Sequence, residues 1–368
     1  MSIRTGGRIR RIAINTGGGD APGLNAVIRA TTLAALQKGW EVIGIRRGYT
    51  GLLEGEVDGE PGVFPLTANA VRGITHLGGT ILGTTTRGNP FGLDVRRPDG
   101  TWGVADRSDE IVGRFDDLGI DALVAIGGDG SLNIANALQE KGLHVVGVPK
   151  TIDNDLAATD MTFGFQTAVE VATDAIGRLH STAEAHQRVM IVQVMGRHTG
   201  WIALESGLAG GADVILIPEI PYRTEPIVRK VRERDETGRR FSIVVIAEGA
   251  VPAGGEPSYA DETGRYGGIA DRLTAELENL TGKETRNLVL GHIQRGGTPI
   301  AYDRNLALRF GAAAVRCIDK GKMGTMVALQ GSRIVAVPLA DAVKELKRVP
   351  VDSDMVWTAR QLGVSLGD

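Results

Sequence analysis

The chain has 368 residues, of which 42% are hydrophobic and 23% charged, and its formal net charge is −3. This length exceeds one average domain, the composition is that of a globular protein, and the weak negative charge gives no basic field for nucleic acid. The sequence has neither an apolar run that could span a bilayer nor the apolar core of a signal peptide. A single cysteine, Cys317, excludes an intrachain disulfide framework and predicts a reducing, cytoplasmic location.

Short β-branched runs alternate with helical patterns in the first half of the chain. The predicted strands are 11–15, 41–45, 122–126 and 145–148, and the predicted helices are 23–38 and 132–141. Strand, glycine turn and helix recur in this order, which predicts parallel strands with right-handed crossovers. The glycine-bearing, charged stretches 51–61, 92–108 and 252–267 are predicted to be surface excursions.

The second half repeats the alternation. Its predicted strands are 189–194, 214–217 and 243–247, and its predicted helices are 166–180, 224–234 and 269–280. Cys317 shares one helical face with Leu306, Phe310 and Ala313, so it is interpreted as a small core residue. The predicted fold is α/β, with two doubly wound, Rossmann-like lobes and mainly parallel sheets.

The first glycine-rich segment joins a strand to a helix at residues 17–23. Glycines there allow backbone N–H groups to approach a phosphate at a helix N-terminus, although a tight βα turn would have the same composition. The dinucleotide fingerprint is not met, because Pro22 occupies the third glycine position and Arg46 and Arg47 follow the second strand. The P-loop signature is absent as well.

A second turn, Gly127-Gly128-Asp129-Gly130-Ser131, also lies between a strand and a helix. Ligands bind at the carboxyl ends of strands in open α/β sheets, and a carboxylate there suits Mg²⁺ that carries phosphates. Asp129 or Ser131 could instead cap the helix. The segment alone leaves both interpretations open.

The third segment, Thr151-Ile152-Asp153-Asn154-Asp155, follows a buried strand. If it is extended, its alternate side chains point in the same direction, into one site. A carboxylate that faces a hydroxyl can remove its proton during phosphoryl transfer. We therefore expect a general base in this segment.

Together these segments resemble the phosphofructokinase family over roughly residues 10–345. The further short matches occur in a shared order: His186-Gln187-Arg188, Met195-Gly196-Arg197, Pro218-Glu219, Glu248, Glu284-Thr285-Arg286, the run 290–297, and Tyr302-Asp303-Arg304. The resemblance implies a glycolytic phosphotransferase that phosphorylates the 1-hydroxyl of fructose 6-phosphate.

The resemblance also implies a role for each matching residue. Asp153 would be the general base, Thr151 its neighbour at the sugar, and Arg197 the cation that stabilises the transferred group. Asp129 would bind Mg²⁺. The donor would contact Gly19, Arg87, Gly88, Gly128, Asp129, Gly130, Ser131 and Lys150. Fructose 6-phosphate would contact Thr151, Asp153, Asp155, Arg188, Met195, Gly196, Arg197, Glu248, Arg286, His292 and Arg295.

The same resemblance implies how the chain is divided. Residues 1–164 with about 294–345 would form the donor lobe, and residues 165–293 with about 346–368 the sugar-phosphate lobe, with the active-site cleft between them. Arg188 and Arg286 would reach the site of a neighbouring subunit, so a homodimer or homotetramer with shared sites is expected. No membrane partner is expected.

Two positions bear on the phosphoryl donor. Gly130 resembles ATP users, because an aspartate there would repel the α-phosphate, whereas Lys150 is also found in pyrophosphate users. The sequence favours ATP and leaves pyrophosphate open. At the positions that bind allosteric nucleotides in bacterial relatives, Arg29, Arg239 and Arg240 match, whereas Leu33, His180 and Thr237 do not, so that response is not expected.

Two other functions would explain parts of this sequence. A nucleotide or lipid kinase would share only the Gly-Gly-Asp-Gly turn and would not need Met195-Gly196-Arg197. A non-catalytic family member would be expected to lose Asp129, Asp153 or Arg197, and all three are present.

Overall fold

The computed structural model describes residues 9–259 and 266–368. The strands are β1 (Arg11–Thr16), β2 (Glu41–Ile45), β3 (Glu56–Val57), β4 (Glu60–Pro61), β5 (Val63–Pro65), β6 (Leu93–Arg96), β7 (Trp102–Ala105), β8 (Ala122–Gly127), β9 (Val145–Thr151), β10 (Phe163–Gly164), β11 (Val189–Val194), β12 (Val214–Leu216), β13 (Ser242–Ala247), β14 (Thr285–Val289), β15 (Thr325–Gln330) and β16 (Arg333–Pro338). The α-helices are α1 (Leu24–Gln37), α2 (Thr50–Glu54), α3 (Ser108–Asp117), α4 (Asp129–Glu140), α5 (Phe165–His186), α6 (Trp201–Ala209), α7 (Thr224–Glu236), α8 (Ile269–Thr281), α9 (Ala301–Asp319), α10 (Leu339–Ala342) and α11 (Asp354–Gln361), and a 3₁₀ helix covers Gly291–Gln294.

The chain divides into two compact units. Unit 1 contains Met1–Ile152, Leu156–Phe165 and Gly296–Leu346, and unit 2 contains Asp153–Asp155, Gln166–Arg295 and Lys347–Asp368. Each unit has its own sheet and its own core. Residues 153–155 group with unit 2, although the strand that precedes them belongs to unit 1.

Unit 1 contains a sheet of order β16-β15-β9-β8-β1-β2-β5, and β10 pairs with the end of β9. The inner pairs are parallel, whereas β16 and β5 run antiparallel to their neighbours at the two edges. In the register, Thr16 pairs with Ile126 and Gly127 pairs with Pro149. The carboxyl ends of β1, β8 and β9 therefore lie side by side.

The sheet of unit 1 is buried on both faces. Along β1, Ile12 and Ile14 enter one core with α1 and α9, and Ala13 between them enters the other core with α3 and α4. This alternation follows from the period-two geometry of a strand. Because both faces are covered, the middle residues of the central strands are apolar, and the polar residues of β1 and β9 stand at the strand ends. Cys317 is buried in the α1–α9 core, as predicted.

Unit 2 contains a wholly parallel sheet of order β12-β13-β11-β14. Its core joins apolar residues of β11, β12 and β13 to the buried faces of α7 and α8. The two parallel-sheet units confirm the predicted α/β class with two Rossmann-like lobes.

Some local predictions need correction. Helix α4 begins at Asp129 rather than at residue 132, and β9 extends to Thr151 instead of ending at residue 148. The surface stretches 51–61 and 92–108 contain the small hairpins β3–β4 and β6–β7. Stretch 252–267 lies partly outside the described residues. Across residues 9–259 and 266–368, every helix is too short or too polar to cross a bilayer.

Candidate active site

The glycine turn after β1 is held by the segment 80–89. The N–H of Gly18 donates to the Thr85 carbonyl at 3.0 Å, and the Thr84 hydroxyl donates to the Gly18 carbonyl at 2.6 Å. A Cβ on Gly17 would stand 2.7 Å from the Ser131 hydroxyl, so only glycine allows the first turn of α4 to approach so closely. The predicted donor residues Gly19 and Ser131 are thereby brought to neighbouring turns.

Lys150 joins the end of β9 to the same glycine turn. The residue is 3% exposed, and its ammonium donates to the Gly19 carbonyl. The Nζ atom also lies 3.5 Å from a Cβ built on Gly18. Unit 1 thus holds a buried positive charge where a phosphate would contact the backbone of the turn.

Asp129 is the first residue of α4, and the capping interpretation is wrong. Gly128 is the N-cap, in an extended conformation, so neither Asp129 nor Ser131 occupies the capping position. The Asn133 amide donates to the Asp129 carboxylate at 3.1 Å and so orients it. Within residues 9–259 and 266–368 no three acidic, His or Cys side chains cluster as a complete metal site. A lone carboxylate still fits Mg²⁺, which commonly takes one or two carboxylates and completes its shell with substrate phosphates and water.

The remaining predicted donor residues flank this point. Arg87 is exposed, and its N–H donates to the Thr85 hydroxyl at 3.1 Å, next to Gly88. Gly130 is also exposed, and a Cβ built on it would meet nothing within 4 Å. Open space therefore exists at the position that is predicted to discriminate between donors.

The segment after β9 bends, so the expectation of one extended run is wrong. The chain bends at Ile152 and Asp153, and Asn154 has a φ of 49°. A left-handed residue breaks the alternation on which a common direction for Thr151, Asp153 and Asp155 depended.

The bent segment is held from within unit 2. The Thr199 hydroxyl donates to the Asp153 carbonyl at 3.2 Å, and the backbone N–H of Lys347 donates to the Asp155 carbonyl at 2.8 Å. The Lys347 ammonium donates to the Asn154 side-chain carbonyl at 3.0 Å. These contacts fix the backbone that carries Asp153.

Four of the predicted sugar-site residues form one charged group in unit 2. Burial raises the pKa of the Glu248 carboxyl, and the negative charge of Asp153 raises it further. Arg197 and Arg295 oppose this shift by electrostatic attraction. The charges of Asp153, Arg197 and Arg295 are therefore close enough to act on the Glu248 carboxyl, and a carboxyl perturbed by burial and by specific charges is typical of functional sites.

The loops after β11 and β13 are locked by backbone contacts. The N–H of Glu248 donates to the Val194 carbonyl at 2.9 Å, and the N–H of Gly249 donates to the Gly196 carbonyl at 3.0 Å. Gly196 has a φ of 136°, and a Cβ on Gly249 would overlap the Arg197 carbonyl. Both glycines are required by this close approach.

The 3₁₀ helix Gly291–Gln294 completes this part of unit 2. The Gln294 side chain, which is fully buried, accepts a hydrogen bond from the N–H of Met195 at 3.4 Å. This contact places exposed His292 and its neighbour Arg295 near the loop that carries Met195.

Arg188 and Arg286 lie elsewhere in unit 2. Arg188 precedes the first residue of β11, and Arg286 is in register with Met190, so both are at the opposite end of the sheet from Met195. They share Glu284, with N–O distances of 2.5 and 2.6 Å. The structure does not bring them to the charged group of their own subunit.

Sequence reasoning missed Tyr266. The Arg197 guanidinium lies 5.2 Å from the centre of its ring, and the His198 ring packs edge-on against it at 6.2 Å. Its only sequence signal was an aromatic residue in a glycine-rich stretch, which was interpreted as a surface excursion.

Two of the residues that stand where effector-binding cations would be expected make contacts within their own chain. His180 hydrogen-bonds through Nε2 to the Gly210 carbonyl at 2.7 Å and packs edge-on against Phe241. The Thr237 hydroxyl donates to the Glu233 carbonyl within its own helix end.

Comparison with known proteins agrees with this geometry. Residues 11–318 match the family model for phosphofructokinase. An ATP-dependent 6-phosphofructokinase of Chloroflexus aurantiacus is 55% identical over 98% of both chains, and a pyrophosphate–fructose 6-phosphate 1-phosphotransferase of Amycolatopsis mediterranei is 50% identical over 93% of this chain and 97% of its own.

A structure of Pichia pastoris phosphofructokinase in the T-state superposes with a TM-score of 0.79 at 32% identity. It covers 97% of this chain, which spans 37% of that longer one. The family model covers most of the chain and the curated relatives cover nearly all of it, so the chain belongs to the phosphofructokinase family.

Proposed function

We propose that this chain transfers the γ-phosphoryl group of ATP to the 1-hydroxyl of fructose 6-phosphate, giving fructose 1,6-bisphosphate. The observation that carries the proposal is the convergence of the charges of Asp153, Arg197 and Arg295 on the Glu248 carboxyl. A carboxylate base and cations for phosphate are what transfer to a sugar hydroxyl requires. A lipid or nucleotide kinase that shares only the Asp129 turn would not need this group.

Asp153 acts as the general base in this proposal. Its carboxylate accepts the proton of the 1-hydroxyl as the oxygen attacks the γ-phosphorus, while the bond to the leaving diphosphate breaks. Arg197 stabilises the charge on the transferred group, and its position is limited by the Tyr266 ring. Glu248, His292 and Arg295 bind the sugar phosphate.

The donor is held by the residues of unit 1. Backbone N–H groups of the turn at Gly19 and of the α4 start at Gly128 bind phosphate oxygens, aided by the partial positive charge of the helix N-terminus. Lys150 adds a fixed cation at the same turn. Asp129 would hold Mg²⁺, which when bound neutralises charge on the phosphates. Transfer requires the donor and acceptor residues to act together on the two bound substrates.

ATP is the favoured donor and pyrophosphate the alternative. Relatives at 55% and 50% identity carry names for the two different donors, so overall similarity does not separate them. Gly130 supports ATP, because the space around its missing side chain is open. Lys150 is compatible with either donor, since an ammonium held at the Gly19 turn can contact the phosphates of both.

A coupled assay with fructose 6-phosphate and either ATP or pyrophosphate tests the function. We expect turnover with ATP to exceed turnover with pyrophosphate. Lack of activity with both donors would overturn the proposed reaction, and activity with pyrophosphate alone would overturn the choice of donor.

Gly130→Asp tests the reason for the choice, with Gly130→Asn as the neutral control of equal size. The open surroundings allow both variants to fold. If charge repulsion matters, the aspartate should depress kcat/KM for ATP much more than the asparagine does, with a smaller loss for pyrophosphate. Equal losses from the two variants would show that bulk alone decides.

We also propose a homo-oligomer, dimer or tetramer, with shared sites. Arg188 and Arg286 lie away from their own charged group, and Leu288 and Val289 on the edge strand β14 are 37% and 50% exposed, as expected of a surface that a second subunit covers. Mixing Asp153→Asn subunits with Arg286→Ala subunits should restore activity, because one site combines two intact halves. Mixed oligomers that form but stay inactive would contradict sharing.

A cytoplasmic location is proposed on the strength of the single cysteine. Cys317 is a buried free thiol in the α1–α9 core, and such a chain needs no oxidising compartment.

A further inference from the structure

A groove in unit 1 between helix α9 and the β15–β16 hairpin has no part in the proposed reaction. It has a volume of about 600 Å³ and is lined by Leu308, Arg309, Ala312, Arg316, Ser332, Arg333 and Ile334. These residues belong neither to the carboxyl ends of β1, β8 and β9 nor to the charged group of unit 2. We propose that this groove binds a small anion that carries two or more phosphate groups.

Three arginines give the lining of the groove a positive charge. Arg309, Arg316 and Arg333 are exposed, and none forms an ion pair with a carboxylate in the described ranges 9–259 and 266–368. The whole chain has a net charge of −3, so this concentration of cations is not a consequence of a basic protein. Three guanidinium groups around one groove match a ligand with several phosphate oxygens, because each can bind bidentately.

Acidic groups near the groove are already engaged. Asp160 accepts a hydrogen bond from the N–H of Gly331 at 2.6 Å at the turn of the hairpin, and Asp319 at the end of α9 pairs with Lys38 at 2.7 Å. Lys320 and Lys322 follow at the same end of the helix and add positive charge. The local balance therefore favours an anion.

Contacts within the protein hold Arg309 and Arg333 in place before a ligand binds. Arg309 donates from its guanidinium to the Ser332 carbonyl at 2.6 Å, which connects the helix to the turn of the hairpin. This bond fixes the side chain and leaves other N–H donors of the guanidinium for a ligand. The hairpin itself is a regular antiparallel pair, with Gln330 opposite Arg333, so Arg333 has a fixed position beside the groove.

Part of the groove lining is apolar. Leu308 and Ala312 on α9, with Ile334 on β16, are partly exposed and provide an apolar strip beside the arginines. A volume of this size lies within the range of small-molecule sites, about 300–1,000 Å³. The groove can therefore hold phosphates on the guanidinium groups and a ring or sugar on the strip.

Equilibrium dialysis of the intact protein with inorganic tripolyphosphate tests the site. The variant Arg316→Ser with Arg333→Ser removes two groove cations, and Arg114→Ser with Lys344→Ser removes two exposed cations outside the groove. We expect wild type and the control to bind one more tripolyphosphate per chain than the groove variant, because each lost charged contact costs on the order of tenfold in affinity. Equal binding by all three proteins would overturn the proposal.

The same experiment distinguishes the sources of the phosphate. Displacement of the additional tripolyphosphate by ADP would identify a nucleotide whose ring uses the apolar strip, and displacement by fructose 1,6-bisphosphate would identify a phosphorylated sugar. Displacement by neither would identify an inorganic polyphosphate. The groove variant should retain wild-type turnover and thermal midpoint, so that loss of binding cannot be attributed to unfolding.

Discussion

The two units differ in their buried carboxylates, although exposed carboxyls such as Glu284 in unit 2 have lowered pKa values as in unit 1. In unit 1, exposed carboxyls have pKa values below the ordinary range, because hydrogen bonds stabilise the charged form: Asp99 from Thr101, Asp106 from Ser108 and Glu110 from Arg107. In unit 2, burial raises the pKa values of a set of carboxyls: Glu205, Asp213, Glu219 and Glu248. Glu248, one of the proposed acceptor residues, belongs to this second set.

The difference also separates the two parts of the proposed reaction. Unit 1 offers backbone N–H groups and closely packed glycines to the donor, with Lys150 as a fixed cation. Unit 2 contains side-chain charges that shift the pKa of the Glu248 carboxyl. Substitutions at the donor turns should therefore act mainly through steric fit, and substitutions around Glu248 through charge and pH.

The largest effect is expected from removing the base. Asp153→Asn preserves the shape of the side chain but cannot accept a proton, so kcat should fall by about 10²–10⁴-fold while binding of fructose 6-phosphate is largely kept. Steady-state kinetics and a direct binding measurement together test this. Asp155→Asn is the matched variant, and a larger loss there than at Asp153 would reassign the base.

Glycine substitutions compare a closely packed glycine of unit 2 with an open glycine of unit 1, and so test how far steric fit matters in each. Gly249→Ala forces a Cβ against the Arg197 carbonyl and should lower the free energy of unfolding by about 1–3 kcal/mol. Gly130→Ala meets open space and should change it by less than about 0.5 kcal/mol. Urea unfolding measures both, and equal stability of the two variants would show that the loops after β11 and β13 can move apart.

Glu248→Gln tests the electrostatic side. Because the folded-state pKa of Glu248 is raised, the folded protein binds this proton more tightly, and the free energy of unfolding falls as pH rises from the ordinary glutamate value, about 4.3, through the folded value. Glutamine does not titrate. The variant should therefore be more stable than wild type above this window, and the difference should vanish below it.

Glu110→Gln in unit 1 provides the opposite sign. Its pKa is lowered by the hydrogen bond with Arg107, so the charged form stabilises the fold above the ordinary pKa and this contribution is lost as pH falls through the folded value. That variant should be slightly less stable than wild type at neutral pH, with a small effect because the pair is exposed. Urea unfolding over a pH series measures both variants, and parallel profiles would contradict the contrast between the units.

The smallest effect is expected at Tyr266. Tyr266→Leu removes the ring beside the Arg197 guanidinium and should lower kcat/KM by about two- to fivefold, the size of an exposed cation–π contact. Tyr259→Leu is the control, because Tyr259 packs against Tyr266 at 5.2 Å and has no described contact with Arg197. Equal losses would indicate a general packing effect of this stretch.

The family, the α/β class and many local elements could be predicted from the amino-acid sequence alone. The strands Glu41–Ile45 and Val189–Val194 were predicted to the residue, because a buried strand between glycine or charged boundaries is a local pattern. The three chemical segments were also recognisable, since glycine turns and paired carboxylates are short motifs. The roles of their residues stay predictions.

Features that depend on contacts between distant residues could be identified only in the folded structure. The antiparallel edges β5 and β16, the bend at Asn154 and the influence of Asp153 on Glu248 are absent from any local pattern. The same holds for the groove, whose arginines come from a helix and from a hairpin that follows it. Periodicity reports which face of an element is buried, whereas strand order, burial of charge and the meeting of side chains arise only when the elements pack.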